Sequence, residues 1–212
     1  TTDLTAISKL TNLKYIKLSV PKVKDLDSLI YLSQVEEIDI SDSHLIQNLD
    51  GLANMENLSV LIARNCISLN IDSLINLRKL KTADFTGCEP GLTNINGLAN
   101  MHELEILRLS GSYITDLDAL KNLKNIKEID LSKCYKLENI DGLKNHKRIK
   151  SLDLSRCSKL QSIEGLRNLK NITSLNLFGC FSLQEADAIG NLTELTNLVM
   201  IDCHSLTNID FL

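Results

Sequence analysis

A nine-residue pattern returns every 22 to 24 residues along this chain, and that recurrence constrains the fold more than any other feature. Ile149 to Cys157 reads IKSLDLSRC, Ile172 to Cys180 reads ITSLNLFGC, and Leu195 to Cys203 reads LTNLVMIDC. Upstream, Ile126 to Cys134 reads IKEIDLSKC, and further units begin at Leu104, Leu80, Leu58, Val35 and Leu13. The nine starts are separated by 22, 23, 22, 24, 22, 23, 23 and 23 residues. Residues 1–12, with Leu4, Ile7 and Leu10, read as the back half of an earlier unit. We therefore expect a single repeat domain over residues 1–212 that is a fragment of a longer protein.

Each unit has two halves with different apolar periods. The first is L-x-x-L-x-L-x-x-C, as in Leu152, Leu154 and Cys157. Alternation over Leu152, Asp153 and Leu154 predicts a short strand with one buried face. The second half runs Leu160, Ile163, Leu166, Leu169, an apolar residue at every third position. That spacing suits 3₁₀ turns or irregular chain better than a long α-helix. Gly51, Gly97, Gly142 and Gly165 recur at one place in this return, where a tight backbone bend is expected. No unit can bury its apolar side alone, so stacked units must share one core. The predicted fold is an α/β-type repeat solenoid, a curved array with a parallel β-sheet on its concave face and short 3₁₀ or irregular segments on its convex face.

These residues resemble the leucine-rich-repeat family over essentially the whole chain. Segments such as ENIDGL and QSIEGLRNL look like the short-repeat class typified by the leucine-rich regulatory subunit of protein phosphatase 1, a class that bacterial internalins broadly share. The stretch LDLSRCSKLQSIEGL, with cysteine closing the strand segment, is similar to trypanosome expression-site-associated leucine-rich-repeat proteins and to plant disease-resistance receptors. The resemblance implies a protein-binding surface. It is incomplete in telling ways. No C-x-x-C pair accompanies it as in the RING-bearing trypanosome relatives, and no G-x-x-x-x-G-K-[ST] loop as in the plant receptors. Internalins carry asparagine where this chain has cysteine.

The formal charge of −4 gives no reason to expect nucleic acid, which favours basic patches. No apolar run approaches the length of a membrane span. Cys66, Cys88, Cys134, Cys157, Cys180 and Cys203 all occupy the ninth position of the unit, filled elsewhere by Pro21, Ser43 and Ser112. We expect six buried, unpaired, structural thiols, and hence a reducing, intracellular setting. Cysteines about 23 residues apart lack any familiar zinc-ligand spacing. His146 stands where other units have Met or Leu and reads as a partly buried ring satisfied by backbone. His44, His102 and His204 read as forming no series. The Asn-x-Ser/Thr sequons at Asn57, Asn171 and Asn191 each precede a core residue and read as coincidental. No nucleophile, base and orienting acid can be assembled, so we expect neither an enzyme nor a cofactor.

If Leu152 and Leu154 point inward, alternate residues line the concave face. The candidate contact residues, read in the same register, fall into zones. Tyr15, Lys17, Glu37 and Asp39 stand near the start. Val60, Ile62 and Arg64 form an apolar patch beside a cation. Arg108, next to Ile106, stands between Asp84 and Asp130 and is expected to pair with one of them. Glu128, Asp130 and Asp153 form an acidic zone, for which no structural purpose is evident and beside which Lys133 and Arg156 offer local compensation. Phe178, with Val199 and Ile201, forms an apolar end. We expect a non-catalytic module that binds a protein partner, one with a basic segment, through this face. The alternatives are the substrate-recognition arm of a larger enzyme, ubiquitin-ligase or phosphatase complex, and a secreted microbial adhesin of internalin type.

Overall fold

The computed structural model describes residues 4–208. The ends of the predicted domain, 1–3 and 209–212, lie outside the described residues. Nine three-residue strands follow one another: β1 Tyr15–Lys17, β2 Glu37–Asp39, β3 Val60–Ile62, β4 Thr82–Asp84, β5 Ile106–Arg108, β6 Glu128–Asp130, β7 Ser151–Asp153, β8 Ser174–Asn176 and β9 Asn197–Val199. All pair in parallel with their sequence neighbours in a single sheet. The register is unbroken, so Ile129 lies beside Leu152 and Leu152 beside Leu175. Each strand from β2 to β8 is tied to both neighbours. Around β7, Lys150 N–H donates back to the Lys127 carbonyl at 2.9 Å, and Leu154 N–H donates forward to the Asn176 carbonyl at 2.8 Å.

Side-chain alternation places the middle residue of each strand in the core and its flanks outside. Ile38, Leu61, Leu107, Ile129, Leu152 and Leu175 are buried in this way. A second buried ladder, two residues on, runs through Ile40, Ala63, Phe85, Leu109, Leu131, Leu154 and Leu177. The one fully buried phenylalanine in it, Phe85, stands beside Ala63 on the neighbouring rung and two residues after Ala83 on its own. The ring occupies space that leucines at those two positions would fill.

The return halves contain only short 3₁₀ turns, such as Asp50–Leu52, Asp141–Leu143 and Glu164–Leu166. A side chain two residues upstream opens each of these turns. Asn48 accepts from Asp50 N–H at 3.1 Å, Asn139 from Asp141 N–H at 3.2 Å, and Ser162 from Glu164 N–H at 3.2 Å. Asn, Asp and Ser are suited to this because their short side chains reach their own backbone. The recurrent glycines have a different purpose from the bend expected of them. None of the four adopts positive φ. A Cβ on Gly51 would meet the Leu26 carbonyl oxygen at 1.9 Å, and one on Gly142 the Leu117 carbonyl oxygen at 2.1 Å. They are small because the turns of successive units pack backbone against backbone.

The left-handed bend lies instead at the eighth position of the unit, just past the strand. Asp42, Asn65, Gly87, Gly111, Lys133, Arg156, Gly179 and Asp202 all have φ between 57° and 79° there. The N–H groups of this series reach forward to the next unit, as Asn65 to the Thr86 carbonyl at 2.8 Å and Lys133 to the Ser155 carbonyl at 2.7 Å. All variation in unit length falls between this bend and the 3₁₀ turn. From the turn at Asp27 onward, the first residue of each turn stands eight residues before the next unit, for example Asp27 to Val35, Asn96 to Leu104 and Asp187 to Leu195.

His146 is wholly buried rather than partly so, with Nδ1 3.2 Å from the Leu143 carbonyl. Burial lowers its pKa from the ordinary 6.5. The folded ring therefore resists a proton that the unfolded chain accepts. Its contribution to stability is complete above pH 6.5 and is lost as pH falls from there through the lowered folded-state value.

Two outcomes follow. Leu154→Ala, at a fully buried position, is expected to cost about 2–5 kcal/mol, and the partly exposed Ser155→Ala within about 0.5 kcal/mol, both read from denaturant unfolding. Equal effects would show that the inward register is wrong. His146→Leu, which installs the residue found at Leu123 and Leu169, should raise the thermal midpoint, and by more at about pH 5 than at about pH 7.5. A gap between variant and parent that does not widen on acidification would exclude the buried ring as the acid-sensitive group.

Candidate functional site: the concave sheet

The parallel strands hold alternate side chains on one outward surface, with neighbouring rungs about 4.8 Å apart. The sequence-predicted contact residues all lie on it, but they are not equally available. Tyr15, Lys17, Glu37 and Arg64 are exposed; Val60, Ile62, Ile106, Arg108, Glu128, Asp130, Asp153 and Phe178 are half-buried. Asp84 is buried, and Asp39 nearly so, contrary to the expectation that both face solvent. The reason is an overlying cation from a neighbouring rung. Arg64 Nε and Nη2 bind Asp84 Oδ2 at 2.8 and 2.7 Å, and Lys17 Nζ binds Asp39 Oδ2 at 2.9 Å. Burial opposes the Asp39 charge, yet hydrogen bonds from Ser41 and Lys17 outweigh it and hold this carboxyl below its ordinary range.

Arg108 pairs with neither of its register partners, Asp84 or Asp130. Its Nη2 reaches diagonally to Glu128 Oε1 at 2.5 Å. Diagonal neighbours across a sheet lie within reach of long side chains, so register alone does not choose the partner. Three cations of the sheet, Lys17, Arg64 and Arg108, are thereby occupied. Among the described residues, Asp130 and Asp153 have no cationic partner although they are direct neighbours on β6 and β7. Lys133 and Arg156 do not compensate them as expected; the Arg156 guanidinium lies over the Phe178 ring, 5.6 Å from its centroid. That also closes part of the expected apolar end, leaving Val199 and Ile201 exposed.

The acids at the last strand position do have a structural purpose, which the sequence reading missed. Each accepts a backbone N–H two residues on, fixing the exit from the strand: Ser41 to Asp39 at 3.0 Å, Thr86 to Asp84 at 3.0 Å, Ser132 to Asp130 at 2.9 Å and Ser155 to Asp153 at 2.8 Å. Asn176 does the same for Phe178 N–H at 3.0 Å. Where Asp or Asn stands at this position an acceptor oxygen fixes the strand exit, and Asn176 shows that a negative charge is not needed for it. The repeated pattern D/N-x-S/T after the strand was the available signal.

Behind the sheet, the cysteines form a ladder of thiol donors. Each Sγ–H points at the sixth-position carbonyl of the preceding unit, as Cys88 to Ala63 at 3.0 Å, Cys157 to Leu131 at 3.1 Å and Cys180 to Leu154 at 3.2 Å. No disulfide links them. Burial pushes Cys66 up to about 11 and Cys88, Cys134 and Cys180 up to about 12, with Cys157 raised well above 9.0 as well. Cys203 departs from the expected full burial and is half-buried, standing beside β9, the last strand among the described residues. Ser43 fills the same role differently, accepting Val20 N–H at 3.2 Å.

Two further sequence readings change. His44 and His204 share one repeat position after all, the tenth, immediately after Ser43 and Cys203. Of the sequon asparagines, Asn57 and Asn171 use their amides structurally, donating to the Ser33 and Lys147 carbonyls at 3.3 and 2.7 Å. Among the described residues, no group of three or more His, Cys, Asp or Glu is placed to hold a metal ion, and no helix is long and apolar enough to cross a membrane.

A single parallel sheet of stacked units, 3₁₀ turns in the return, and an inward residue closing each strand define the class of curved repeat solenoids. Two family models then match the chain: leucine-rich repeats, two copies, over residues 102–145, and a BspA-type leucine-rich repeat region, six copies, over 131–212. The chain belongs to the leucine-rich-repeat family, without assignment to the phosphatase-regulator or trypanosome subclass. Its fold is similar to that of an internalin (inlF) from Listeria monocytogenes, at 22% identity and TM-score 0.65, covering 100% of this chain and 71% of that one. Internalin C2 of the same species is similar at 20% identity and TM-score 0.71, with 91% and 83% covered. A chain of a TLR13–ssRNA13 complex is similar at 19% identity and TM-score 0.75, with 94% and 30% covered. No curated protein sequence matches the chain. Likenesses at these identities establish the fold alone. Neither family model is that of a catalytic family; leucine-rich repeats are a general protein-interaction scaffold.

At neutral pH a thiol reagent should label Cys203 of the native protein well ahead of the other cysteines, and all six should react after unfolding without reductant. Five slow native thiols and one fast one is the expected count; disulfides surviving denaturation would overturn the ladder.

Proposed function

We propose that this chain is a non-catalytic module whose concave sheet binds a protein partner through a basic segment laid across Asp130 and Asp153, beside the Arg108–Glu128 pair. One observation carries this reading: the sheet consumes its own cations in cross-rung pairs and leaves Asp130 and Asp153 adjacent and without a cation among the described residues, Asp153 Oδ2 accepting only the neutral Asn176 amide at 3.1 Å. Adjacent like charges on neighbouring strands destabilise a sheet. Asparagine would supply the acceptor that the strand exit needs, as Asn176 demonstrates, so the charges themselves serve something other than folding. A partner's lysines or arginines would relieve the repulsion. Such attraction mainly accelerates encounter and selects among partners, and salt weakens it.

The double variant Asp130→Asn with Asp153→Asn should unfold close to the parent, since both amides keep the Oδ1 acceptor and relief of the repulsion offsets the loss of the bond from Asn176 Nδ2 to Asp153 Oδ2. Asp130→Ala removes that acceptor and should cost about 0.5–1.5 kcal/mol. Affinity capture with the parent and the double variant as paired baits, followed by mass spectrometry, identifies the partner. Association at low ionic strength should then be slower for the double variant, and its salt dependence shallower. Unchanged kinetics would remove the acidic zone from the binding site and turn attention to Val60, Ile62 and Arg64.

A further inference from the structure

The rim where the strands give way to the return carries a feature that the concave sheet does not explain. Of the eight left-handed bends, six use Gly, Asn or Asp, the residues that adopt this conformation at little cost. Lys133 and Arg156, on adjacent units, do not. The unit before them uses Gly111 and the unit after them Gly179. Strain kept where an easy substitute serves on both sides marks a side chain retained for use, not for folding.

Aromatic rings gather around these two cations. Tyr113, Tyr135 and Phe181 share the tenth position of their units, and Phe178 stands at the seventh. Tyr135, Phe178 and Phe181, with Arg156 and Ser158, line a hollow of about 330 Å³ at the rim of the sheet. Phe181 is 48% exposed, its other face stacked on His204 at 5.6 Å. The Lys136 ammonium lies 5.9 Å from the centre of the Tyr113 ring. Lys133, Lys136 and Arg156 have no carboxylate partner among the described residues. The hollow therefore offers apolar walls, one guanidinium at its edge and two more cations on the same flank.

We propose that this hollow docks a short acidic segment of a partner protein, one that presents an aromatic or large aliphatic side chain beside a carboxylate. The apolar side chain fills the space between Tyr135, Phe178 and Phe181. The carboxylate meets the Arg156 guanidinium, a planar donor suited to it. Charge complementarity selects an acidic rather than a basic segment. Rings interleaved with cations also suit single-stranded nucleic acid, but a phosphate chain running beyond the hollow meets Asp130 and Asp153 on the strands that lead to this rim. A single carboxylate can avoid them. The site is separate from the acidic zone of the concave sheet and stands whether or not that zone binds a partner.

The test is selection of displayed random linear peptides on the immobilised chain, followed by binding of the enriched peptides, fluorescein-labelled, to variants. Enriched peptides should carry an aromatic or large aliphatic residue within about two positions of Asp or Glu. Arg156→Gly and Phe181→Ser should each weaken binding about tenfold or more, while Asp130→Asn with Asp153→Asn should not weaken it. Arg156→Gly should also unfold no earlier than the parent, because glycine takes the left-handed bend freely; a merely structural arginine would not combine lost binding with retained stability. Should Arg156→Gly unfold earlier, Phe181→Ser, at an exposed ring, decides. The proposal is overturned if the selection yields no such pairing, if the peptides bind Phe181→Ser unchanged, or if fluorescein-labelled oligouridine binds the parent and loses that binding with Arg156→Gly.

Discussion

No unit of this chain can bury its apolar side except against another unit, and the rest of the structure follows from that dependence. Leu152 and Leu154 are fully enclosed only because Ile129 and Leu131 lie on one side and Leu175 and Leu177 on the other. The same stacking brings strand edges to hydrogen-bonding distance and seats each ninth-position thiol under a carbonyl of its predecessor. Stability is then a matter of neighbour interfaces more than of any one unit, and the backbone groups at each strand end are satisfied from outside their own unit.

This arrangement turns the outward side chains into a fixed lattice. A side chain on the concave sheet cannot move relative to its neighbours without breaking a rung, so charges placed there are held at set spacing. Lys17, Arg64 and Arg108 neutralise Asp39, Asp84 and Glu128 within that lattice. Of the acids left over, the adjacent Asp130 and Asp153 pair and the aromatic hollow on the neighbouring rim have opposite chemical preferences. Two such surfaces on one rigid array can engage different parts of one partner.

Much of this was written plainly in the chain. The apolar spacing of Leu152 and Leu154, repeated in nine units and closed by cysteine in six of them, is enough to set strand direction, register and the inward face, because a one-residue slip would turn the inward residues outward. Side-chain reach was not legible in the same way. Register places Arg108 beside Asp84 and Asp130, but the length of its side chain lets it select Glu128 on a diagonal. Asp84 reads as a surface acid and is buried because Arg64 folds over it from the rung before. The left-handed bend had a signal that was not taken up, Asp42, Asn65, Gly87, Gly111, Gly179 and Asp202 at one position, and the two bends that depart from it, Lys133 and Arg156, direct attention to the rim. The four recurrent glycines pointed to the right place for the wrong reason, since close approach of successive turns, not backbone reversal, excludes a side chain.

The confinement of length variation to one short stretch, between the left-handed bend and the 3₁₀ turn, bears on how such a chain can change. Units of 22, 23 and 24 residues present identical faces to their neighbours, because the stretch from turn to strand is constant. A unit copied or deleted whole by recombination would find matching partners on both sides, and an insertion in the variable stretch would leave the register untouched. Diversity can thus accumulate along one margin of the array while the interior stays the same. That margin adjoins the tenth-position residues Tyr113, Tyr135 and Phe181.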